Sequence, residues 1–191
     1  MLRLALVLVA LLSVAACANN PDSAPPDVVS RAVYRSDAPP ELTLYTIVNN
    51  QSGAGAHTAL LINASQRVIF DPAGSFHHEQ TPRAGDVLFG ISPAFSTAYE
   101  RMHARPEYHV VAQTIPVSPE VAELALRRAL ANGPAPAAYC AKTTSALLAG
   151  LPGLGDIRQT FYPVTLQESF ARVTGVQGRK FYEDYTPPGG S

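Results

Sequence analysis

Short strand-like segments that follow one another closely are the strongest constraint on how this chain can fold. Such segments are rich in β-branched and aromatic residues and are bounded by polar or glycine-containing loops. Five segments fit this description: 42–48, 57–62, 67–70, 86–91 and 108–115. Only four residues separate the second segment from the third. So short a connection predicts a hairpin, and the run of consecutive strands predicts an antiparallel sheet.

Four helices are predicted between and after these strands. Ser92–Pro93 and Ser118–Pro119 are typical helix starts, because serine caps free N–H groups and proline suits the first turn. Apolar residues recur at helical spacing from Cys140 to Gly150, and a capping box at Thr165–Glu168 marks the last helix. Four to five strands with about four helices predict an α+β domain.

The first residues predict export and lipid attachment. The apolar run Leu4–Leu12 has the length of a signal-peptide core and is too short to span a bilayer. Small residues then lead into Cys17, a pattern that resembles the lipobox of bacterial lipoproteins. We therefore predict a signal peptide over residues 1–16 and a lipidated, palmitate-carrying Cys17. An ordinary cleavage site with an incidental cysteine and a short membrane anchor are the alternatives.

The rest of the chain is predicted to form one envelope domain. Residues 17–40 are a proline-rich tether, residues 41–185 the domain, and residues 186–191 an unstructured tail. Ala18, rather than Asp, follows the lipidated cysteine, which favours the outer membrane and a position facing the periplasm. The net charge is −1 and no basic stripe with interleaved aromatics is present, so no nucleic-acid partner is predicted.

Cys140 is the residue that most needs an explanation. The chain has two cysteines, and if Cys17 carries lipid, Cys140 has no partner within the chain. A leftover cysteine in an exported protein indicates an intermolecular bridge or a reactive thiol. At the start of a helix, backbone N–H groups lower the pKa of a thiol and can hold an oxyanion. The alternative is a small buried apolar residue, which is how most free cysteines behave.

A thiol nucleophile needs a histidine, and His57 is the best placed of the five. It opens a strand directly after a glycine-containing loop, so its ring can face a cleft. Surface positions are predicted for His77, His78 and His103, and a packed, satisfied one for His109. No metal site is predicted, because no third ligand at a recognised spacing accompanies the His77–His78 pair and Glu79. No cofactor is predicted either.

The register of the predicted hairpin brings Asp71 towards His57. If the turn consists of residues 63–65, His57 and Asp71 face each other and point to the same side of the sheet. Asp71 would then orient the imidazole. With a turn of two or four residues, Asp71 would instead pair with Thr58. A local role is a further alternative, since Asp-Pro-Ala-Gly also initiates turns.

These features together resemble the NlpC-type papain-fold cysteine hydrolases. The resemblance covers about residues 43–173 and lies in a strand opening with His57, a second strand ending in Asp71, a helix after "SPE", "YC…T…LL" at a helix start, and "YPVTLQESF". The order of His before Cys is that of the circularly permuted branch, which includes relatives of lecithin:retinol acyltransferase. Tyr139 departs from the family, because many members have Asn there. Asp71 stands where the acyltransferase relatives usually have a second histidine.

The resemblance implies a papain-like fold with Cys140 as nucleophile, His57 as base and Asp71 as third polar residue. We accordingly predict a cysteine peptidase or amidase that cleaves amide bonds, with peptidoglycan peptides as substrate, and we assign Tyr139 and Tyr45 to substrate binding. A thiol acyltransferase or esterase acting on lipid is the first alternative. A non-catalytic envelope binding or assembly lipoprotein with a buried Cys140 is the second.

Overall fold

The computed structural model describes residues 23–183. The predicted signal peptide, Cys17 and the tail 186–191 lie outside the described residues. Within them the fold is α+β with an entirely antiparallel sheet, as the sequence predicts. Over residues 23–183 the sheet has seven strands instead of four to five, and the described helices number five instead of about four.

Five strands follow one another along the chain before the second helix, and most neighbouring strands of the sheet are consecutive in sequence. The strands are β1 (Glu41–Asn49), β2 (Gly55–Asn63), β3 (Arg67–Phe70), β4 (Arg83–Ala84), β5 (Val87–Leu88), β6 (Tyr108–Pro116) and β7 (Arg179–Phe181). The helices are α1 (Pro26–Arg31), α2 (Pro93–His103), α3 (Pro119–Ala131), α4 (Cys140–Ala149) and α5 (Pro163–Thr174). The strand order across the sheet is β4-β5-β3-β2-β1-β6-β7.

The sheet separates two hydrophobic cores, because successive residues of a strand point to opposite faces. On β1, Leu42 and Leu44 face one core, while Tyr45 and Ile47 face the other. Helices α3, α4 and α5 cover the first core, and α2 covers the second through Tyr99, which is fully buried. Each large apolar side chain buried in this way contributes roughly 1.5–3 kcal/mol of transfer free energy.

The helix starts show which local signals control the fold. Ser92 Oγ accepts a hydrogen bond from Phe95 N at 3.3 Å, and Ser118 Oγ accepts one from Val121 N at 3.4 Å, so both predicted caps are confirmed. The capping box at Thr165–Glu168 is wrong. Helix α5 begins two residues earlier, at Pro163, and its N-cap residue makes no side-chain cap. Proline, whose φ already suits a helix, marks this start.

The segment before β1 packs against the sheet although the sequence assigns it to the tether. Ala24 N donates to Arg83 O at 2.7 Å, and Arg67 N donates to Tyr34 O at 2.8 Å. Asn63 Nδ2 reaches the carbonyl of Pro39 at 3.0 Å. The chain therefore contacts the domain well before residue 41. No helix within residues 23–183 is long and apolar enough to cross a membrane.

Candidate active site

The β2–β3 hairpin closes with a register two residues away from the predicted one. Asn63 pairs with Arg67 and Leu60 with Phe70, so the turn consists of residues 64–66. The direct pairing of His57 with Asp71 is therefore wrong, and so is the alternative pairing of Asp71 with Thr58. A shift of two residues leaves every side chain on its face of the sheet. His57 and Asp71 consequently share a face as diagonal neighbours, a distance that long side chains can bridge.

The side chains of His57 and Asp71 do meet. His57 Nε2 lies 2.7 Å from Asp71 Oδ1, and the Asp71 side chain is completely buried. The same oxygen accepts a hydrogen bond from Tyr99 OH at 2.7 Å, and Oδ2 accepts one from Arg83 Nη2 at 2.6 Å. Burial alone would raise the pKa of Asp71. Its interactions with His57, Arg83 and Tyr99 prevail and lower that pKa to about 2.

A tight turn after β3 seals this carboxylate from the outside. Gly74 N donates to Asp71 O at 3.0 Å, which closes the Asp-Pro-Ala-Gly turn that the sequence also allows. A Cβ atom on Gly74 would collide with the Asp71 carboxylate. Glycine is therefore the residue that lets the backbone close over the buried charge. The turn and the contact with His57 coexist, because the turn uses the Asp71 carbonyl and leaves the carboxylate for the histidine.

Cys140 is the first residue of α4 and is 7% exposed, so the predicted helix start is confirmed. β3 ends at Phe70, opposite Leu60, and Thr58 lies beyond the end of that ladder. The N–H groups of Thr58 and Ala141 point at the thiol and favour its ionised form. Tyr139, the N-cap residue, makes no side-chain cap, which leaves the first N–H groups of the helix available.

The thiol and the imidazole shift each other's acidity. Burial would lower the pKa of His57, but its hydrogen bonds with Asp71 and Cys140 raise that pKa to about 9. Burial would raise the pKa of Cys140, but His57 and the two backbone N–H groups lower it overall. Because Nε2 of His57 is bonded to Asp71, Nδ1 is the ring nitrogen left for Cys140. These opposite shifts favour a thiolate–imidazolium pair.

Of the other four histidines, three lie where the sequence predicts and one, His103, does not. His103 is not a free surface residue as predicted. Its ring stacks on His57 with centroids 5.8 Å apart, and its Nδ1–H donates to Tyr99 O at 2.8 Å. His109 is buried and bonded to Asn50, as predicted. His77 and His78 are exposed, also as predicted.

A second buried carboxylate, Asp86, connects the two segments that carry the site. Asp86 Oδ2 accepts the N–H of Ala135 at 2.6 Å, in the loop that leads to Cys140. The Asp86 carboxylate also accepts the N–H of Ala73, and its carbonyl accepts the Asp71 N–H at 2.7 Å. Burial raises the pKa of Asp86, opposed by these N–H donors. Asp86 therefore fixes the turn after β3 relative to the start of α4.

Backbone strain lies in both of the segments that Asp86 connects, the turn after β3 and the loop before α4. Ala73 and Ala138 have φ values of 55° and 67°, and no other non-glycine residue of the chain from 23 to 183 has a positive φ. One follows Asp71 by two residues and the other precedes Cys140 by two. This conformation costs an alanine roughly 1–2 kcal/mol relative to glycine.

The two tyrosines assigned to substrate binding lie in different surroundings. Tyr139 is 41% exposed and meets Phe161 edge-on, with ring centroids 5.0 Å apart. Tyr162 beside them is 71% exposed. Tyr45 is 2% exposed and packs against Tyr99 with centroids 5.4 Å apart. We therefore correct the assignment of Tyr45, whose ring supports Tyr99 from within the core and offers no surface to a substrate.

Arg83, Tyr99 and Asp86 were not predicted as parts of the site. The sequence signal for Asp86 is weak, a charged residue directly before the buried strand β5, and Arg83 lies in the two-residue strand β4 just before it. Within residues 23–183, no group of three His, Cys, Asp or Glu side chains is arranged to hold a metal ion.

No protein-family model, no curated protein and no solved structure matches this chain. The chemistry of the site itself must therefore indicate the function. It combines an acidic thiol at a helix N-terminus, an imidazole in contact with it, and a buried carboxylate that fixes the imidazole. Such an arrangement is suited to nucleophilic attack on a carbonyl and proton transfer to a leaving group.

Proposed function

We propose that the protein is an envelope-anchored cysteine hydrolase that cleaves amide bonds, with Cys140 as nucleophile and His57 as base. The observation that carries the proposal is that one imidazole contacts both the Asp71 carboxylate and the Cys140 thiol. The arrangement and the order of His before Cys support assignment to the permuted NlpC-type papain-like fold. Asp71 is the orienting residue, and Arg83 and Tyr99 are positioning residues that act through it.

In the first half of the reaction, the Cys140 thiolate attacks the amide carbonyl carbon and the carbonyl electrons move to oxygen. N–H groups at the start of α4 stabilise this oxyanion. The His57 imidazolium then gives its proton to the leaving nitrogen, the C–N bond breaks, and a thioester of Cys140 remains. In the second half, neutral His57 takes a proton from water. The hydroxide attacks the thioester, and the carboxylic acid leaves as the thiolate is restored.

Peptidoglycan stem peptides are the substrate class that we propose, because they are the abundant amide polymer at the position which a lipidated Cys17 would give the enzyme. The second candidate is a thiol acyltransferase or esterase acting on lipid. One observation favours it, namely the exposed aromatic pair of Tyr139, which directly precedes the nucleophile, and Phe161, which meets the Tyr139 ring edge-on. Turnover of soluble cell-wall peptides against short-chain lipid esters separates the two.

The pH dependence of iodoacetamide labelling at Cys140 tests the proposal. We expect labelling with an apparent pKa well below the usual value of about 8.5. The low pKa should disappear in His57→Gln. It should persist in His109→Gln, the matched variant of a strand histidine outside the site.

An unreactive thiol, or one whose labelling is the same in His57→Gln, would overturn the proposal and the acyltransferase alternative together. Cys140 would then be a packing residue and the protein a binding or assembly lipoprotein. Thermal unfolding of each variant establishes that loss of labelling reflects chemistry and not a loss of folded protein.

A further inference from the structure

A cavity of about 320 Å³ opens beside His57. Its polar lining consists of His57, Ser75, His103, Arg105 and Tyr108, and the rest of its wall is apolar. The size is at the lower end of the range for small-ligand pockets. It has room for one residue of a peptide rather than for an extended chain.

Among residues 23–183, no carboxylate lines the cavity. Asp71 lies behind Gly74, and its charge is already compensated by His57 and Arg83. The Arg105 guanidinium is half exposed, and its ionic contact within the described residues is a long one, 3.8 Å to Glu183. Several of the five N–H donors of Arg105 therefore have no acceptor among the side chains of residues 23–183 and can bind a ligand. The electrostatic character of the cavity is positive.

The reaction chemistry decides which part of a substrate occupies this cavity. The acyl part stays attached to Cys140, whereas the leaving nitrogen must receive its proton from His57. The cavity is lined by His57 and not by Cys140. A group in the cavity is therefore on the leaving side of the scissile bond.

We propose that this cavity is the leaving-group subsite and that Arg105 binds a carboxylate of the residue that leaves. This inference rests on the proposed function and specifies its substrate class: peptides in which the scissile amide nitrogen belongs to a residue with a free carboxylate. When His57 transfers its proton and the C–N bond breaks, that residue departs as an amine whose carboxylate is held by Arg105. Bidentate pairing of guanidinium with carboxylate gives the orientation.

The test uses the full chain carrying Cys140→Ala, which cannot react, and two probes. N-acetylalanine has the free carboxylate beside its amide, and N-acetylalaninamide lacks it; both enantiomers are titrated. Binding is followed by NMR through the imidazole signals of His57 and His103. We expect the carboxylate to bind at least tenfold more tightly than the carboxamide. Arg105→Gln should abolish this preference, and Arg105→Lys should restore it in part.

The matched control is Arg101→Gln, which removes an exposed arginine of α2 that does not line the cavity. It should leave the preference unchanged. Equal binding of the two probes, no binding of N-acetylalanine, or a preference that survives Arg105→Gln would overturn the subsite. The titration needs no reactive thiol, so its outcome is independent of the labelling experiment and the two proposals can fail separately.

Discussion

His57 on β2 and His109 on β6 are both strand histidines with a ring nitrogen 2.7 Å from a side-chain oxygen. Each also stacks on a second aromatic ring, His57 on His103 at 5.8 Å and His109 on Tyr182 at 4.8 Å. Their acid–base properties are nevertheless opposite. The pKa of His57 is raised to about 9, whereas burial and Lys180 lower the pKa of His109.

The chemical nature of the acceptor contributes much of this difference, together with Cys140 beside His57 and Lys180 near His109. His57 is bonded to the carboxylate of Asp71, whose negative charge stabilises imidazolium, while His109 is bonded to the neutral amide of Asn50. A hydrogen bond of the same length therefore fixes the orientation of both rings but raises the basicity of only one. This difference in basicity, rather than a difference in how firmly the two rings are held, supports the proposal of His57 as the base.

The largest effect on the reactivity of Cys140 is expected when the carboxylate bonded to His57 is replaced by a neutral amide, as found at His109. In Asp71→Asn, the pKa of His57 should fall below its present value of about 9 because the negative charge is gone. Labelling of Cys140 near neutral pH should slow by about 10²-fold or more. Imidazole NMR titration and labelling kinetics measure the two effects.

Asp71→Asn also leaves the Arg83 charge largely unpaired, with only a long contact of 3.9 Å to Asp86 among the described residues, and breaking a buried pair costs roughly 3–5 kcal/mol of stability. The double variant Asp71→Asn with Arg83→Gln removes that unpaired charge. It should recover part of the stability and none of the labelling rate. An unchanged rate in either variant would show that the carboxylate does not control the base.

The same pair should give the wild-type protein a characteristic pH dependence of stability. The pKa of Asp71 is lowered from 3.8 to about 2, so its contribution is complete above 3.8 and is lost as the pH falls towards 2. The pKa of His57 is raised from 6.5 to about 9, so its contribution is complete below 6.5 and is lost as the pH rises towards 9. The free energy of unfolding due to these groups is therefore greatest between pH 3.8 and 6.5.

Urea unfolding at a series of pH values measures this profile. Asp71→Asn should flatten both arms of the curve, since each depends on the histidine–carboxylate pair. Arms that are as steep in Asp71→Asn as in the wild type would assign the dependence to other groups.

The converse change gives His109 a carboxylate as hydrogen-bond partner, as His57 has in Asp71. In Asn50→Asp the pKa of His109 should rise from its lowered value because a carboxylate replaces an amide. The labelling rate of Cys140 should be unchanged, because His109 lies outside the site. NMR titration of His109 checks the shift. A pKa that does not move would mean that solvent screens this carboxylate, and that burial of the acceptor matters as much as its charge.

The smallest effect is on the free energy of unfolding, and it concerns the loops that follow the two acceptor residues, Asn50 and Asp71. The loop that follows Asn50 uses Gly53 for its positive φ of 69°, whereas the turn after Asp71 uses Ala73 at 55°. Ala73→Gly should therefore stabilise the protein by about 0.5–1 kcal/mol. Ala54→Gly is the matched control, since its φ is not positive, and it should destabilise slightly. Equal effects of both changes on urea unfolding would argue against strain at Ala73.

The elements that the sequence predicts well are those fixed by local hydrogen bonds. The caps at Ser92 and Ser118 are of this kind. Strands β4 and β7 are two and three residues long and exist because a neighbouring strand pairs with them. No periodicity can show in so few residues. The predicted strand 86–91 shrinks to Val87–Leu88 for the same reason, since pairing sets its length.

In the candidate site, too, locally determined features can be predicted from the sequence, whereas contacts between distant segments cannot. The shared face of His57 and Asp71 depends only on whether the register is odd or even, which the alternation of apolar residues restricts. The register itself depends on which three residues form the turn, and residues 63–65 and 64–66 are equivalent in composition for this purpose. Arg83 and Tyr99 reach Asp71 across 12 and 28 positions of the chain, and no local pattern encodes such contacts.

The lowered pKa of the Cys140 thiol depends on the His57 ring and the Thr58 N–H of β2, both far from Cys140 in sequence, and on the neighbouring Ala141 N–H as α4 orients it. In an unfolded chain the thiol has its ordinary pKa, because His57 and Thr58 are not near it and no helix orients the Ala141 N–H. Contacts over such separations form late, once the intervening loops have closed. Nucleophilicity therefore arises only with the docking of α4 against β2. If the proposed function is correct, the chain therefore carries no activated thiol until it is folded.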